Sequence, residues 1–324
     1  MNTRSPDEAV VAHALASIAS GSQSFAAATR LFDARTRQSA VLLYAWCRHC
    51  DDVIDGQVLG HAAAPQAGAG ANLQPSDPGA VEERLRELER HTRRACAGAP
   101  CEHPVFLGLA EVVRRHDIPP RLPMELLAGF AMDARGTHYA TLADTLLYGW
   151  RVAGVVGVMM ARIMGVGSPA TLDRACDLGI AFQLTNIARD VLEDAQRGRL
   201  YLPADWLRED GLDGLSAVLD PARREALARV VARLVGAAEP YYQSARAGIG
   251  ELPLRCAWSI ATARGIYRAI GRKVRRAGAS ALEQRMATGR AEKLWFVARG
   301  AGVALAANAM AQPPRPPHLF QRPF

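Results

Sequence analysis

Apolar residues recur along most of the chain with the three-to-four spacing of helices, and two segments stand out because their polar residues fall on a single face. Placed on a helix, residues 40–57 put Tyr44, Arg48, Asp51 and Asp55 at steps of four, three and four. Val41, Leu42, Leu43, Trp46, Cys47, Cys50, Val53 and Ile54 occupy the other faces, so the pattern predicts a helix buried nearly all round. The construction recurs downstream. Gln183, Asn186, Asp190 and Asp194 fall at steps of three, four and four while Phe182, Leu184, Ile187, Val191 and Leu192 fill the remaining faces.

Other helices follow the same period. Residues 81–95 read as an amphipathic helix, 117–134 as a turn and a helix, 141–165 as a long buried helix, and 221–247 and 252–277 as two more. Ser168 is placed to cap a helix that begins at Pro169, and Gly198 to end it. Residues 60–79 carry Gly, Ala and Pro with Leu73 as the one large apolar side chain, which predicts a mobile loop. Residues 311–324 are too rich in proline for helix and predict an extended tail. No composition shift marks a linker between domains. The expected organisation is one all-α domain over residues 1–324.

Composition narrows the class. Half the chain (49%) is apolar, enough for a sizeable core, and the β-branched and aromatic residues never gather into alternating strand patterns. Asp7 and Glu8 stand where a signal peptide needs apolar residues, and the apolar runs 152–166 and 294–310 carry Arg162 and Arg299 and are shorter than the roughly 20 residues of a spanning helix. These features predict a cytoplasmic protein without a transmembrane segment. The net charge of +7 owes much to Arg264, Arg268, Arg272 and Arg275 or Arg276 along one face, a pattern that suits a solvated surface or contact with anionic lipid. No nucleic-acid module accompanies it. The six cysteines read as small buried hydrophobes.

The two acidic stripes carry the candidate chemistry. A buried carboxylate without compensation costs several kcal/mol. Arg48 and Arg189 could compensate as ordinary ion pairs, but two copies of oxygen-only ligands spaced four apart suit Mg2+, completed by phosphate oxygens.

At these residues the chain resembles the squalene and phytoene synthase family. The likeness is carried by YAWCRHCDDVID, YGWRVAGVVGVMMA and AFQLTNIARDVLEDAQRGRLYLP, with GSQSFAAATRLF and CAWSIATARGIYRAIG in support, and covers roughly residues 21 to 300. It is nearest to the bacterial phytoene-forming members. The resemblance implies an isoprenoid-synthase (terpenoid synthase) helical bundle with a central apolar cavity. It implies head-to-head condensation of two geranylgeranyl diphosphates through a cyclopropyl diphosphate to phytoene, with Mg2+ or Mn2+ and no nicotinamide cofactor. The alternatives are a fifteen-carbon dehydrosqualene or squalene synthase and a non-catalytic assembly factor.

Carried over by residue, the family pattern makes Asp51, Asp55, Asn186, Asp190 and Asp194 the metal ligands. It assigns Ser22, Ser24, Tyr44, Arg48, Gln183 and Arg189 to diphosphate, Tyr148 to the reaction centre, and Tyr267 to a place near a diphosphate. Asp52 lies beside the stripe. Ala153, Gly154 and Gly157 either let helices pack closely or leave room for prenyl tails. Gly149, Trp150 and Arg151 depart from the run common in phytoene-forming members. Expected partners are geranylgeranyl diphosphate, the membrane surface and downstream carotenoid enzymes.

Overall fold

The computed structural model describes residues 29–55, 57–58, 61–62, 78–309 and 313–324. Ser22 and Ser24, and most of the loop expected over 60–79, lie outside the described residues. Backbone contacts divide the chain into two compact units, Met1–Arg135 and Gly136–Phe324. Apart from a pair of two-residue strands, β1 (Gln57–Val58) and β2 (His61–Ala62), the regular structure among the described residues is helical.

The first unit holds α1 (Ala34–Asp55), α2 (Pro78–Cys96), α3 (Pro104–His116) and α4 (Arg121–Ala134), with α1 packed against the other three. Asp33 starts α1 by accepting hydrogen bonds from the Thr36 amide (3.0 Å) and hydroxyl (2.6 Å), which satisfies an amide the first turn leaves free. As predicted, α1 is buried on nearly every side: Val41, Leu42, Leu43, Trp46, Cys50 and Ile54 are all inside. Helix α3 has no counterpart in the expected elements. Arg115 on it reaches Gln38 Oε1 (3.0 Å) and Ser39 Oγ (3.3 Å), and His116 bonds Ser39 Oγ at 2.8 Å, so α1 and α3 are tied by polar contacts as well as packing.

The second unit is arranged around one long helix. It comprises α5 (Leu142–Gly149), a π-helical turn (Trp150–Gly154), α6 (Val155–Ile163), α7 (Pro169–Gln196), α8 (Ala204–Glu209), α9 (Gly214–Leu219), α10 (Arg224–Ala247), α11 (Leu254–Ala277) and α12 (Arg290–Ala306). Helix α7 packs against α10, α6, the π turn and α11. Its ends are those expected: Ser168 Oγ accepts from the Thr171 amide, Pro169 opens the helix, and Gly198, at φ +79°, follows its end. The expected helix over 141–165 is interrupted by the π turn. This run is long and apolar enough to cross a membrane, but Tyr148, Trp150, Val155, Val158 and Met159 are buried within the unit.

Glycine makes the closest approach possible. A Cβ on Gly179 of α7 would stand 2.2 Å from the Ala153 carbonyl oxygen, and one on Gly157 of α6 would stand 2.3 Å from that of Ala175. Of the two readings of the small residues in this segment, close helix packing has direct support here. Helix α12 uses the same device on α11, where a Cβ on Gly300 would lie 2.4 Å from Thr262 Oγ1.

The basic stripe on α11 is corrected by its surroundings. Arg264 is buried and donates Nε to the Tyr242 carbonyl at 2.7 Å, while Arg268 and Arg272 pair with Glu239 of α10. Because α11 packs against α10, two of the expected surface arginines, Arg264 and Arg268, are spent inside the unit. The tail behaves otherwise than a free segment: residues 313–324 have no helix, as predicted, but lie against α7 and α10.

Substituting Gly179→Ala forces a side chain into backbone rather than into a yielding side chain, so the variant is expected to lose about 1–3 kcal/mol of stability. Denaturant unfolding followed by far-ultraviolet dichroism measures the loss, with the folded helical signal retained.

Candidate active site

The first acidic stripe lies at the carboxy-terminal half of α1. Arg48 bridges two carboxylates from one helical turn back, with Nη1 2.9 Å from Asp51 Oδ2 and Nη2 2.8 Å from Asp52 Oδ1. The Asp51 side chain is 39% exposed and that of Asp52 10%, so Asp51 is the one open to an incoming ligand. Arg48 Nε is buried without a hydrogen-bond partner, a donor suited to an anion. Tyr44 is half-buried one turn earlier, and its hydroxyl proton is held more tightly than usual, first by burial and in part by the nearby Asp51 and Asp52 charges, against the pull of Arg48. Asp55 occupies the last position of α1.

The second stripe runs along α7. Asn186 Nδ2 reaches Gln183 Oε1 at 3.5 Å, and Asn186 Oδ1 is buried with no hydrogen-bond partner. Asp190 is held by two guanidiniums: Arg189 approaches its oxygens at 2.8 and 2.5 Å, and Arg285 at 2.9 and 3.1 Å. Burial works against ionisation of Asp190, but these two arginines overcome it and hold the carboxyl below its ordinary range. Asp194, one turn on, has no such pair. Burial, then the charges of Asp190 and Glu193, push its pKa up to about 7, against a weaker pull from Arg197 and Arg199.

Those features test whether a divalent cation fits. An orphaned buried amide oxygen at Asn186, a buried carboxyl at Asp194 and a carboxylate at Asp190 held in ionised form make an oxygen-only donor set. That chemistry suits a hard cation. Among the described residues no three His, Cys, Asp or Glu side chains converge on one point, and each stripe is seen here in its arginine-neutralised arrangement.

Two aromatic residues of the expected site are also placed. Tyr267 of α11 stacks on Phe182 of α7 at 4.3 Å between ring centroids; its hydroxyl proton is held more tightly than usual, chiefly by burial, within the field of Arg189 and Asp190. Tyr148, at the end of α5, is 4% exposed and stacks on Tyr201 at 4.7 Å, with Tyr139 edge-on at 5.5 Å. Thus Gln183, Asn186, Arg189, Asp190, Asp194 and Tyr267 form one neighbourhood in the second unit, whereas Tyr44, Arg48, Asp51 and Asp55 belong to the first. Arg285 is the residue that sequence reasoning missed. It lies in an irregular stretch after α11, where no periodicity singles it out, and only its position against Asp190 reveals it.

Comparison with known proteins bears on the family and the fold. The sequence pattern described as squalene/phytoene synthase matches residues 18–292. The 15-cis-phytoene synthase of Pantoea ananas is 54% identical over 312 residues, 96% of this chain and 97% of its own length. The phytoene synthase of Pseudescherichia vulneris is 49% identical over 96% of this chain and 97% of its own length. A crystal structure of a dehydrosqualene synthase in complex with ligand matches with a TM-score of 0.77 at 26% identity, covering 92% of this chain and 98% of the other. The fold is therefore the isoprenoid-synthase helical fold, and the chain belongs to the squalene/phytoene synthase family.

Proposed function

We propose that the protein joins two molecules of geranylgeranyl diphosphate head to head, through a cyclopropyl diphosphate, to give phytoene. The observation that carries the substrate choice is the 54% identity, over nearly the whole chain, to a relative named 15-cis-phytoene synthase. The solved dehydrosqualene synthase is half as similar, at 26%. A fifteen-carbon substrate is the weaker reading. An assembly role without catalysis is disfavoured because every acidic ligand of the family pattern is present.

In this reading Asp51 and Asp55 on α1, and Asn186, Asp190 and Asp194 on α7, would each hold divalent cations that take diphosphate. Bound there, Mg2+ or Mn2+ supplies Lewis-acid withdrawal of charge from the departing diphosphate. The chain's own groups do the positioning. Arg48, Arg189 and Arg285, which here pair with carboxylates, would be the donors for diphosphate oxygens. Gln183, Tyr44, Tyr267, Ser22 and Ser24 add neutral donors. The allylic cation left by ionisation attacks the double bond of the second substrate, and Tyr148 lies at this centre. The apolar faces of α1 and α7 keep water from quenching the cation.

Membrane contact, in our reading, is made by α12 and not by the arginine stripe of α11. One side of α12 packs on α11, and the other presents Leu294, Trp295 and Leu305 at 72%, 57% and 70% exposure, with Ala298 and Gly302 exposed between them. The charged group bordering this apolar strip is Arg299, stacked over the Trp295 ring at 5.4 Å. An exposed apolar helix face with tryptophan and arginine at its margin suits the headgroup boundary of an anionic bilayer. A bilayer would also take up a forty-carbon hydrocarbon.

Purified protein with Mg2+ should convert geranylgeranyl diphosphate to phytoene. Turnover of farnesyl diphosphate alone would overturn the substrate assignment. Asp51→Asn and Asp190→Asn should each abolish metal-dependent turnover with the helical signal intact, and Mg2+ should raise the melting temperature of the wild type more than that of either variant. Retained activity in either variant removes the two-cluster reading. For the membrane, Leu294→Ser/Leu305→Ser should weaken partitioning onto vesicles containing anionic lipid by about tenfold or more. Unchanged partitioning, or a concentration-dependent dimer that the substitutions abolish, would assign the face to something other than lipid.

A further inference from the structure

We propose that residues 313–324 form a strap that positions Tyr148 for the reaction, acting through Trp150. The proposal rests on the reading that Tyr148 lies at the reaction centre. Its foundation is a buried electrostatic anchor. Asp177 of α7 is fully buried and accepts Ser244 Oγ at 2.5 Å and, in two parallel bonds, Arg315 Nε and Nη2 at 2.8 Å each. Two parallel bonds from a planar guanidinium fix direction as well as distance. Arg315 also donates to the Phe320 carbonyl at 2.6 Å, which folds the strap back on itself, and Arg174 reaches the Pro313 carbonyl at 2.6 Å. The Phe320 amide donates to the Tyr241 hydroxyl at 3.0 Å, and Arg322 pairs with Asp173.

So many contacts on an irregular proline-rich segment place two phenyl rings in one spot. Phe320 stacks on Trp150 at 6.2 Å between centroids, and Phe324 meets it edge-on at 6.0 Å. Trp150 is wholly buried, and its Nε1 has no hydrogen-bond partner, so packing alone fixes the indole. Within the same turn a Cβ at Gly154 would lie 2.9 Å from the ring, so the indole packs against the turn's own backbone as well as against the strap.

Trp150 opens that turn two residues after Tyr148, and π turns are local departures from the α-helical ladder that persist only where the surroundings hold them. Neighbouring Gly149 sits where a Cβ would be in ordinary contact with Ile180 and Gln183 of α7, so the backbone between Tyr148 and Trp150 lies against the acidic helix. Loss of the two phenyl rings leaves Trp150 free to shift toward the emptied space. The turn, and Tyr148 with it, then departs from its place.

The test compares the wild type with Phe320→Ala/Phe324→Ala and with Phe320→Leu/Phe324→Leu, which keeps most of the bulk. Kinetics are run well below each melting temperature, beside Tyr148→Phe. The alanine variant should lose about ten- to a hundredfold in kcat with KM changed less than about twofold, and the leucine variant should recover most of the loss. If Tyr148→Phe is impaired and the alanine variant only melts earlier, with kcat unchanged, the strap is merely structural and the inference fails. If Tyr148→Phe turns over like wild type, the reading of Tyr148 fails and the strap's role falls with it. Should the double alanine variant not fold, Phe324→Ala alone carries the same comparison.

Discussion

A carboxylate taken out of water must be compensated, and the arrangement of arginines in this protein follows from that demand. Arg48 serves Asp51 and Asp52 on α1, Arg189 and Arg285 serve Asp190 on α7, and Arg315 serves Asp177 thirteen residues earlier on the same helix. Among the described residues no guanidinium pairs with Asp194, and burial, then the charges of Asp190 and Glu193, raise its pKa to about 7. The two sorts of carboxylate have different consequences. Asp177 is fully buried with its Arg315 partner only 14% exposed, whereas Asp51 is 39% exposed and one of the guanidiniums on Asp190, that of Arg285, is 62% exposed, so these pairs remain open to solvent.

Helix α7 carries both sorts of group because its packing lets it. Gly179 and the facing carbonyl of Ala153 bring α7 and the segment after Tyr148 into backbone contact, which leaves no tolerance for slippage between them. One end of the helix is pinned by the strap through Asp173, Arg174 and Asp177. The other presents Gln183 through Asp194, where the polar stripe is half-buried and Asp190 is held by Arg189 and Arg285.

Much of this was legible beforehand, and the reason is periodicity. Both stripes could be read because a helix places residues three and four apart on one face, and the helix ends at Ser168, Pro169 and Gly198 because cap chemistry is local. Helix α3, the π turn and α12 escaped for opposite reasons. The apolar residues of α3 lie in a short segment between irregular ones, the π turn alters the hydrogen-bond ladder without altering composition, and α12 is apolar on both faces, so no polar side marks its period. The basic stripe on α11 is surface at its carboxy-terminal end, where Arg272, Arg275 and Arg276 are exposed, but Arg264 is buried and Arg268 half-buried, since the Tyr242 carbonyl and Glu239 that engage them come from α10.

The sequence by itself determined the helical class, the family, the two acidic stripes and the residue types that suit a metal-held diphosphate, because each depends on spacing along one helix or on a contiguous motif. Tertiary structure alone decided which arginine meets which carboxylate. Arg285 reaches Asp190 across ninety-five residues and Arg315 reaches Asp177 across one hundred and thirty-eight, and no local period encodes a partner at such a distance. Through-space pairing of charge is set by how helices stack, and that is a property of the folded chain.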